Sequence, residues 1–289
     1  MGDPVRVVVD SSTCLAPEDA ARAGITVVPM RVEIDGREYR DGRDLNAGDF
    51  YRSLRANGHA THSTSAPTPG DYADAFRDAA ADVLCLTVAS SLSAMHQAAS
   101  LAAGMVDGGR RVRVVDSGTA APGLQLLARA AATVAAGGAA LDEVEHRVTR
   151  LAARVHMFGT LATIEYLARG GRVPQVASWG ATVLNVRPVV RFEHGGAHLL
   201  QLARGQAGAR RALLRHTVRA AEADGAAPSG ANVHLVVFHG DAIDEARAIE
   251  AELRARFADV DIAVSEFTPA MGVHTGPGVT GTALYVDPA

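Results

Sequence analysis

The sequence predicts an α/β fold with two domains. The first is expected to be a three-layer α/β/α domain with a mainly parallel sheet, and the second an α/β domain with a mixed sheet. In the first half, short apolar runs alternate with helix patterns, which is typical of parallel β-α-β units covered on both faces. In the second half, two runs flank residues 193–196, which favours an antiparallel hairpin. The 289 residues suit one large domain or two ordinary ones. Because the pattern changes between the halves, we place a boundary near Arg150, giving domains 1–150 and 151–289.

The first half begins with a buried strand, because residues 5–9 are mostly valine. The runs 25–34 and 37–39 predict a hairpin across Asp35 and Gly36, a pair that favours a tight turn. The remaining elements predicted here are a helix over 17–23, a helix from its cap Asn46 to about Arg55, a helix over 70–81, a strand over 83–88, a helix over 92–106, a strand over 112–115 and a helix over 123–136.

The second half differs from the first after the glycine pair 137–138. The elements predicted here are a helix over 141–154, a strand over 157–161, two strands between 189 and 204, a helix over 207–223, a strand over 233–238, a helix over 242–257 and two final strands. Because adjacent strands of a hairpin run in opposite directions, this half is expected to form a separate domain.

Composition excludes several classes of function. The net charge is −4 and no basic run interleaves with aromatic residues, so we expect no binding to nucleic acid. No signal peptide and no apolar stretch long enough to cross a bilayer is recognised, so a cytoplasmic location is expected. The two cysteines have no metal-ligand spacing, and Cys85 lies in a strand pattern typical of an inert buried thiol. We therefore expect no metal and no cofactor.

The chain contains no lysine, since all 28 basic residues are arginine. Coding bias toward arginine, alanine and glycine is the simplest explanation. The absence still excludes a Schiff-base lysine, a pyridoxal-phosphate lysine and a Walker-type phosphate loop within this chain, because each requires that amine.

Turns rich in serine and threonine are the main functional signal. They lie at residues 7–13, 62–67, 86–93, 114–119 and 273–281. Each follows an apolar, strand-like run, and in an α/β protein such turns gather at the end of the sheet where ligands bind. Hydroxyl groups and the free amides of helix N-termini suit a carboxylate or a phosphate. The pattern therefore indicates anion binding more strongly than catalysis.

Enzyme signatures are not supported by their sequence context. Residues 276–281 have the glycine spacing of a dinucleotide site, but a strand rather than a helix is predicted after them. No G-x-S-x-G elbow occurs. Solvated or turn histidines at His59, His62 and His239 are simpler than ligands or bases. We expect no catalytic residue.

Two carboxylates lie at the ends of predicted strands, where an acid–base pair is one interpretation. Asp10 and Asp116 each close a predicted strand, a position where carboxylates commonly organise the following turn. We interpret them as turn organisers.

Seven segments resemble signature motifs of the DegV family. They are residues 10–12, 64–67, 90–93, 115–117, 165–173, 187–190 and 274–278. They occur in order along essentially the whole chain. The resemblance implies a two-domain α/β fold related to the substrate subunit of dihydroxyacetone kinases. It also implies a long-chain fatty acid buried between the domains, which in several bacteria is presented to a separate fatty acid kinase that makes an acyl phosphate.

The resemblance also implies the residues that hold the fatty acid carboxylate. The positions that match the family's motifs are Thr64, Ser93, His274 and Arg204. Two departures bear on the preference for the acyl chain. Ala66 replaces the usual glutamine, and Ala94-Met95 replaces the usual Gly-Thr. Helix capping is an alternative or additional role for the Thr64 and Ser93 hydroxyls.

The hydroxyl groups named above can meet the requirements of a buried carboxylate. A buried carboxylate needs several donors, and a hydrogen bond to a charged group contributes about 1.5–3 kcal/mol. We therefore expect a fatty-acid carrier without chemistry of its own. The alternatives are a substrate-binding subunit of a dihydroxyacetone-kinase-like enzyme that uses His274, and a lipid-responsive regulator. Arg172, after a glycine pair, is expected to organise structure or a partner surface, with an exposed arginine of no role as its alternative.

Overall fold

The computed structural model describes residues 4–56, 61–106, 111–171, 185–193 and 195–287. The strands in these residues are β1 (Val5–Asp10), β2 (Ile25–Val28), β3 (Arg31–Ile34), β4 (Arg37–Arg40), β5 (His62–Ser65), β6 (Asp82–Thr87), β7 (Val112–Asp116), β8 (His156–Thr160), β9 (Val186–Glu193), β10 (Gly196–Arg204), β11 (Val233–His239), β12 (Asp261–Glu266) and β13 (Thr280–Val286). The helices are α1 (Pro17–Arg22), α2 (Ala47–Ala56), α3 (Pro69–Asp78), α4 (Met95–Ala103), α5 (Pro122–Ala136), α6 (Leu141–Ala152), α7 (Glu165–Gly170), α8 (Gly205–Ala223), α9 (Ile243–Arg256) and α10 (Pro269–Thr275).

A four-stranded parallel sheet in the order β2-β1-β6-β7 forms the centre of the first half. Its strands are apolar on both sides because both faces are covered. Val7 and Val9 pack with α5 and α6 on one face, whereas Val8 packs with α3 and α4 on the other. This confirms the prediction of a three-layer domain with a parallel sheet.

A six-stranded mixed sheet in the order β10-β9-β8-β13-β11-β12 forms the second half. Its neighbouring strands are antiparallel except for the parallel pair β11 and β12. The predicted hairpin is confirmed as β9 and β10. Helices α8 and α9 cover one face of this sheet through a cluster around Leu213, Leu253 and Phe257.

Helix α5 packs against both sheets. Its buried residues, including Leu124 and Leu127, share one apolar cluster with Val7 of the parallel sheet and with Phe238 and Ala283 of the mixed sheet. Residue 150 lies in the last turn of α6, shortly before the mixed-sheet strand β8 begins. The division into domains 1–150 and 151–289 stays a prediction.

A small antiparallel sheet in the order β4-β3-β5 corrects two local predictions. Residues 25–34 are two strands in different sheets, because Pro29 and Met30 separate β2 from β3, and a proline offers no N–H to a ladder. Residues 62–65, predicted as part of a turn, form β5 and pair with β3.

Candidate ligand-binding site

A cavity of about 140 Å³ lies between the parallel sheet, the mixed sheet and helix α10. Among the described residues, most of its lining side chains are apolar, and four of the six methionines of the chain contribute: Met30, Met95, Met157 and Met271. Its polar lining side chains are Ser12, Thr64, Ser65, Ser93, Thr119, Glu193, His274 and Thr275. The cavity therefore has the amphipathic lining that a molecule with one polar end requires.

Thr64 and His274 meet in the wall of this cavity although 210 positions separate them in sequence. The Thr64 Oγ1 atom lies 2.9 Å from His274 Nε2, and both side chains are partly buried. Strand β5 positions Thr64, and α10, which packs against β5, positions His274. The predicted capping role of Thr64 is wrong, because Thr64 lies within a strand and Thr68 caps α3 instead.

His274 lies in a helix and not in the predicted turn after a strand. It belongs to the last turn of α10, which has Pro269 at its beginning and ends at Gly276 with φ +70°. Gly272 within this helix makes room for Phe50, since a Cβ there would come 2.5 Å from Phe50 Cε1. Tertiary packing therefore defines a short helix that carries little local signal.

Ser93 lies two residues before Met95, the first residue of α4, at the point where α4 reaches the cavity. Its hydroxyl makes no hydrogen bond with any described residue. Helix α5 also begins at the cavity, just after Thr119. The N-cap residues of the two helices, Ala94 and Ala121, supply no side-chain acceptor to the first-turn amides. Two helix N-termini and a free hydroxyl therefore favour an anion at this part of the wall.

Ser12 also lines the cavity, although its sequence position alone does not single it out. It is only 2% exposed, and its hydroxyl makes no hydrogen bond of standard geometry with a described residue. Its backbone N–H donates to Asp10 Oδ1 at 2.9 Å. The turn after β1 had indicated hydroxyl groups near a ligand, but only the structure shows which of the two serines faces the cavity.

The carboxylates at the strand ends organise turns, as predicted. Asp10 accepts hydrogen bonds from the amides of Ser12 and Val88, and burial raises its pKa. Asp116 accepts from the amides of Ser90 and Gly118. Both carboxylates hold the loops that present the cavity hydroxyls.

The two departures from the family pattern both line the cavity. Ala66 contributes a methyl group where the family has a glutamine, and Met95 is buried with its side chain in the wall. Each replaces a polar side chain by an apolar one. The wall next to the polar groups is therefore more apolar than the family pattern implies.

Arg204 is not brought to the other predicted site residues. It is exposed, ends β10 and precedes α8, and it does not line the cavity. Arg172 and His59 lie outside the described residues. His62 is half-buried with its ring against Phe50, and His239 is buried at the end of β11, away from the cavity lining.

The hairpin of β9 and β10 reaches the cavity with its tip. Glu193, Gly195 and Gly196 line the wall. Gly195 has φ +69°, and a Cβ there would overlap the Ser91 hydroxyl in the loop after β6. This close approach brings the mixed sheet against the end of the parallel sheet and covers one side of the cavity.

The described residues contain neither a metal-binding group nor a membrane-spanning helix. In the described part of the chain, no group of three or more histidine, cysteine, aspartate or glutamate side chains is arranged to hold a metal ion. None of the helices in those residues combines the length and apolarity that crossing a bilayer requires.

Comparison with known proteins gives a consistent match over the whole chain. The family described as "Uncharacterised protein, DegV family" matches residues 4–287. A DegV domain-containing protein of Streptomyces coelicolor is 32% identical over 289 residues, covering 98% of this chain and 99% of the relative.

Solved structures agree with this match. A DegV family protein of Thermus thermophilus, described by its fatty acid binding, superposes with a TM-score of 0.89 at 29% identity, covering 98% of this chain and 100% of that one. A DegV lipid-binding protein of Thermotoga maritima superposes with a TM-score of 0.86 at 26% identity, covering 98% of each chain. Since the family match, the relative and the two structures all extend over nearly the full sequence, this chain belongs to the DegV family.

Proposed function

We propose that this protein is a fatty-acid carrier that buries a long-chain fatty acid in the cavity and presents its carboxylate to a separate fatty acid kinase. The observation that carries the proposal is the distribution of polarity in the cavity wall. Thr64 and His274 are hydrogen-bonded to each other there, Ser93 lies at a helix N-terminus, and most of the remaining lining is apolar. An amphipathic ligand with a small anionic head matches this distribution.

The head group is assigned to the polar end of the cavity, where Thr64 and Ser93 donate to it and His274 is hydrogen-bonded to Thr64. A carboxylate can accept hydrogen bonds from both hydroxyls and from first-turn amides of α4 or α5, which offsets the cost of its desolvation. Arg204 has no place in this assignment, because it is exposed and does not line the cavity. The charge of the bound acid is thus met by hydroxyl and amide donors and not by a buried arginine.

The tail is assigned to the apolar part of the wall. Each buried methylene contributes about 0.8 kcal/mol before the costs of binding, so a long chain can supply most of the affinity. Methionine side chains are unbranched and adapt to irregular shapes, and four of them line this cavity. These walls suit an alkyl chain better than a small polyhydroxy compound.

Relatives support the same class of ligand. The Thermus thermophilus and Thermotoga maritima proteins are described as binding fatty acid and lipid, respectively. The kinase as partner follows from the family resemblance. The cytoplasmic location and the lack of chemistry in this chain are expectations from the sequence that we include in the proposal. In this arrangement the carrier supplies the bound acid and the kinase supplies the reaction.

Purified protein is expected to carry a fatty acid. Because a buried alkyl chain dissociates slowly from an apolar cavity, the ligand should persist through purification. Native mass spectrometry before and after delipidation, followed by organic extraction, checks this. The expected result is an added mass equal to that of a fatty acid, which delipidation removes and added palmitate or oleate restores. A ligand-free protein that also binds neither acid contradicts the proposal, and retention of a small hydroxylated compound favours the kinase-like substrate subunit.

A further inference from the structure

The cavity has a polar end and an aromatic end. Met271, His274 and Thr275 line it from α10, and their spacing of three and four residues places them on one helix face. His274, beside Thr64, is near the end of this helix, whereas Phe267 lines the cavity from just before its start. The helix rises ~1.5 Å per residue, so Pro269 and His274 are about 7.5 Å apart along its axis, and Phe267 precedes Pro269 by two residues that are not helical. Phe267 therefore lies at the end opposite the head group.

Two stacked rings line the cavity at this opposite end. Phe267 and Phe238 are both at most 1% exposed, and their ring centroids lie 4.9 Å apart with planes only 2° from parallel. Both residues line the cavity. A stacked, fully buried pair has little freedom to rearrange, unlike the methionines of the side walls.

Glycines on two neighbouring strands determine where Phe238 lies. Phe238 of β11 pairs with Gly281 of β13, which pairs in turn with Gly159 of β8. A Cβ at Gly281 would overlap the Phe238 ring. A Cβ at Gly159 would lie 3.4 Å from Phe238 Cζ and 3.2 Å from Cε2 of Phe192, another lining residue. The ring thus extends over strands that have no side chains at these two points.

We propose that Phe238 and Phe267 form a rigid end stop that sets the longest acyl chain the cavity accepts, while the methionines adapt to the shape of the chain. This inference rests on the proposed function. Because Gly281 has no side chain, the Phe238 ring can pack directly against the sheet. The glycines therefore determine the depth of the cavity. The protein would accordingly select ligands by chain length at the end remote from the carboxylate.

Two substitutions should change the depth of the cavity in opposite directions. Phe267→Ala removes one ring and deepens the cavity, so the longest accepted acid should become longer. Gly159→Ala places a methyl group 3.2 Å from Cε2 of Phe192, so this lining ring must yield by a few tenths of an ångström, whereas its 3.4 Å approach to Phe238 is an ordinary contact. We expect the Phe192 ring to yield toward the cavity. The longest accepted acid should then become shorter. Phe267→Leu is a milder version of the first change if the alanine variant does not fold.

The test is displacement of a fluorescent fatty acid by saturated acids from lauric to behenic. For the wild type, affinity should increase about fourfold per methylene and then stop increasing at one chain length. That break should shift to longer acids in Phe267→Ala or Phe267→Leu and to shorter acids in Gly159→Ala. Phe257→Ala is the control, because Phe257 is equally buried but packs with α9 on the other face of the sheet.

The outcomes separate this inference from the function on which it rests. Wild-type binding with the same break in every folded variant contradicts the end stop and leaves the carrier function intact. No binding of any acid by the wild type contradicts the carrier function itself. A shift in the Phe257 control equal to that in the Phe267 variants would attribute the effect to general loosening and also overturn the end stop.

Discussion

Replacing Ser93 with alanine is expected to weaken fatty acid binding about ten- to hundredfold. The substitution removes a hydroxyl that is free to donate to a buried carboxylate, and a lost hydrogen bond to a charged acceptor costs about 1.5–3 kcal/mol. Titration with a fluorescent fatty acid measures the effect. Ser63→Ala is a matched control, because Ser63 lies next to Thr64 on β5 but is exposed and outside the cavity. Unchanged affinity in the Ser93 variant would place the head group elsewhere.

The hydrogen bond between Thr64 and His274 gives the two residues different roles in binding the carboxylate. A threonine hydroxyl has one proton, so Thr64 can donate to the carboxylate only when His274 Nε2 donates to Thr64 Oγ1. His274 thereby orients the hydroxyl without needing to contact the acid. His274→Ala is expected to retain much of the affinity but to depress acyl phosphate formation with a cognate kinase. A loss of affinity as large as that of the Ser93 variant would instead make His274 a direct ligand.

The second large effect is expected in the pH dependence of stability, and it comes from Asp41, which is only 2% exposed. Its carboxylate accepts a hydrogen bond from Ser11 Oγ at 2.6 Å and from the amide of Ala270 at 3.1 Å. These contacts tie the turn after β1 to the beginning of α10, the helix that carries His274. Burial raises the pKa of Asp41 from 3.8 to about 6, although its hydrogen bonds act in the opposite direction.

The direction in which stability changes with pH follows from the protons that Asp41 binds in the folded and unfolded chains. Between pH 3.8 and about 6, folded Asp41 holds a proton that the unfolded chain has released. The free energy of unfolding therefore decreases as pH rises through this window, by about 3 kcal/mol from this residue. Asp41→Asn should remove that part of the slope, since an amide does not titrate and its oxygen still accepts from Ala270. Chemical denaturation across the window measures the slope, and an unchanged slope contradicts the assignment.

Asp44 provides a control of opposite sign close in sequence. Hydrogen bonds from Arg40 lower its pKa to about 2, so any contribution to stability increases as pH rises through its unfolded pKa and is complete above it. Asp44→Asn should therefore leave the decrease between about pH 4 and about pH 6 in place. Asp10, whose pKa burial also raises, acts in the same direction as Asp41. For that reason the informative quantity is the difference between the Asp41 variant and the wild type.

The sequence predicted the elements whose apolar pattern matches their burial. Strands β1 and β6 are apolar on both faces and lie between helix layers, so their pattern is unambiguous. Strand β5 could not be predicted in this way, because its four residues have no apolar alternation and pair only through the neighbouring β3. Helix α10 is seven residues long and depends on packing between Gly272 and Phe50.

The candidate site was predicted in part for a related reason. Resemblance to family motifs singled out Thr64, Ser93 and His274, and the folded chain brings these three to one cavity. The same resemblance singled out Arg204, whose motif position is compatible with an exposed place at a strand end. Ser12 was missed, because a sequence shows that a hydroxyl is present but not which cavity it faces.

A crystal structure with a fatty acid brominated at its terminal carbon tests the central assignment most directly, since anomalous scattering locates the bromine while the density locates the carboxylate. The expected result places the carboxylate within hydrogen-bond distance of Thr64 and Ser93 and the bromine against Phe238 and Phe267. A bromine beside Thr64, or a ligand bound outside this cavity, would contradict the assignment of head and tail.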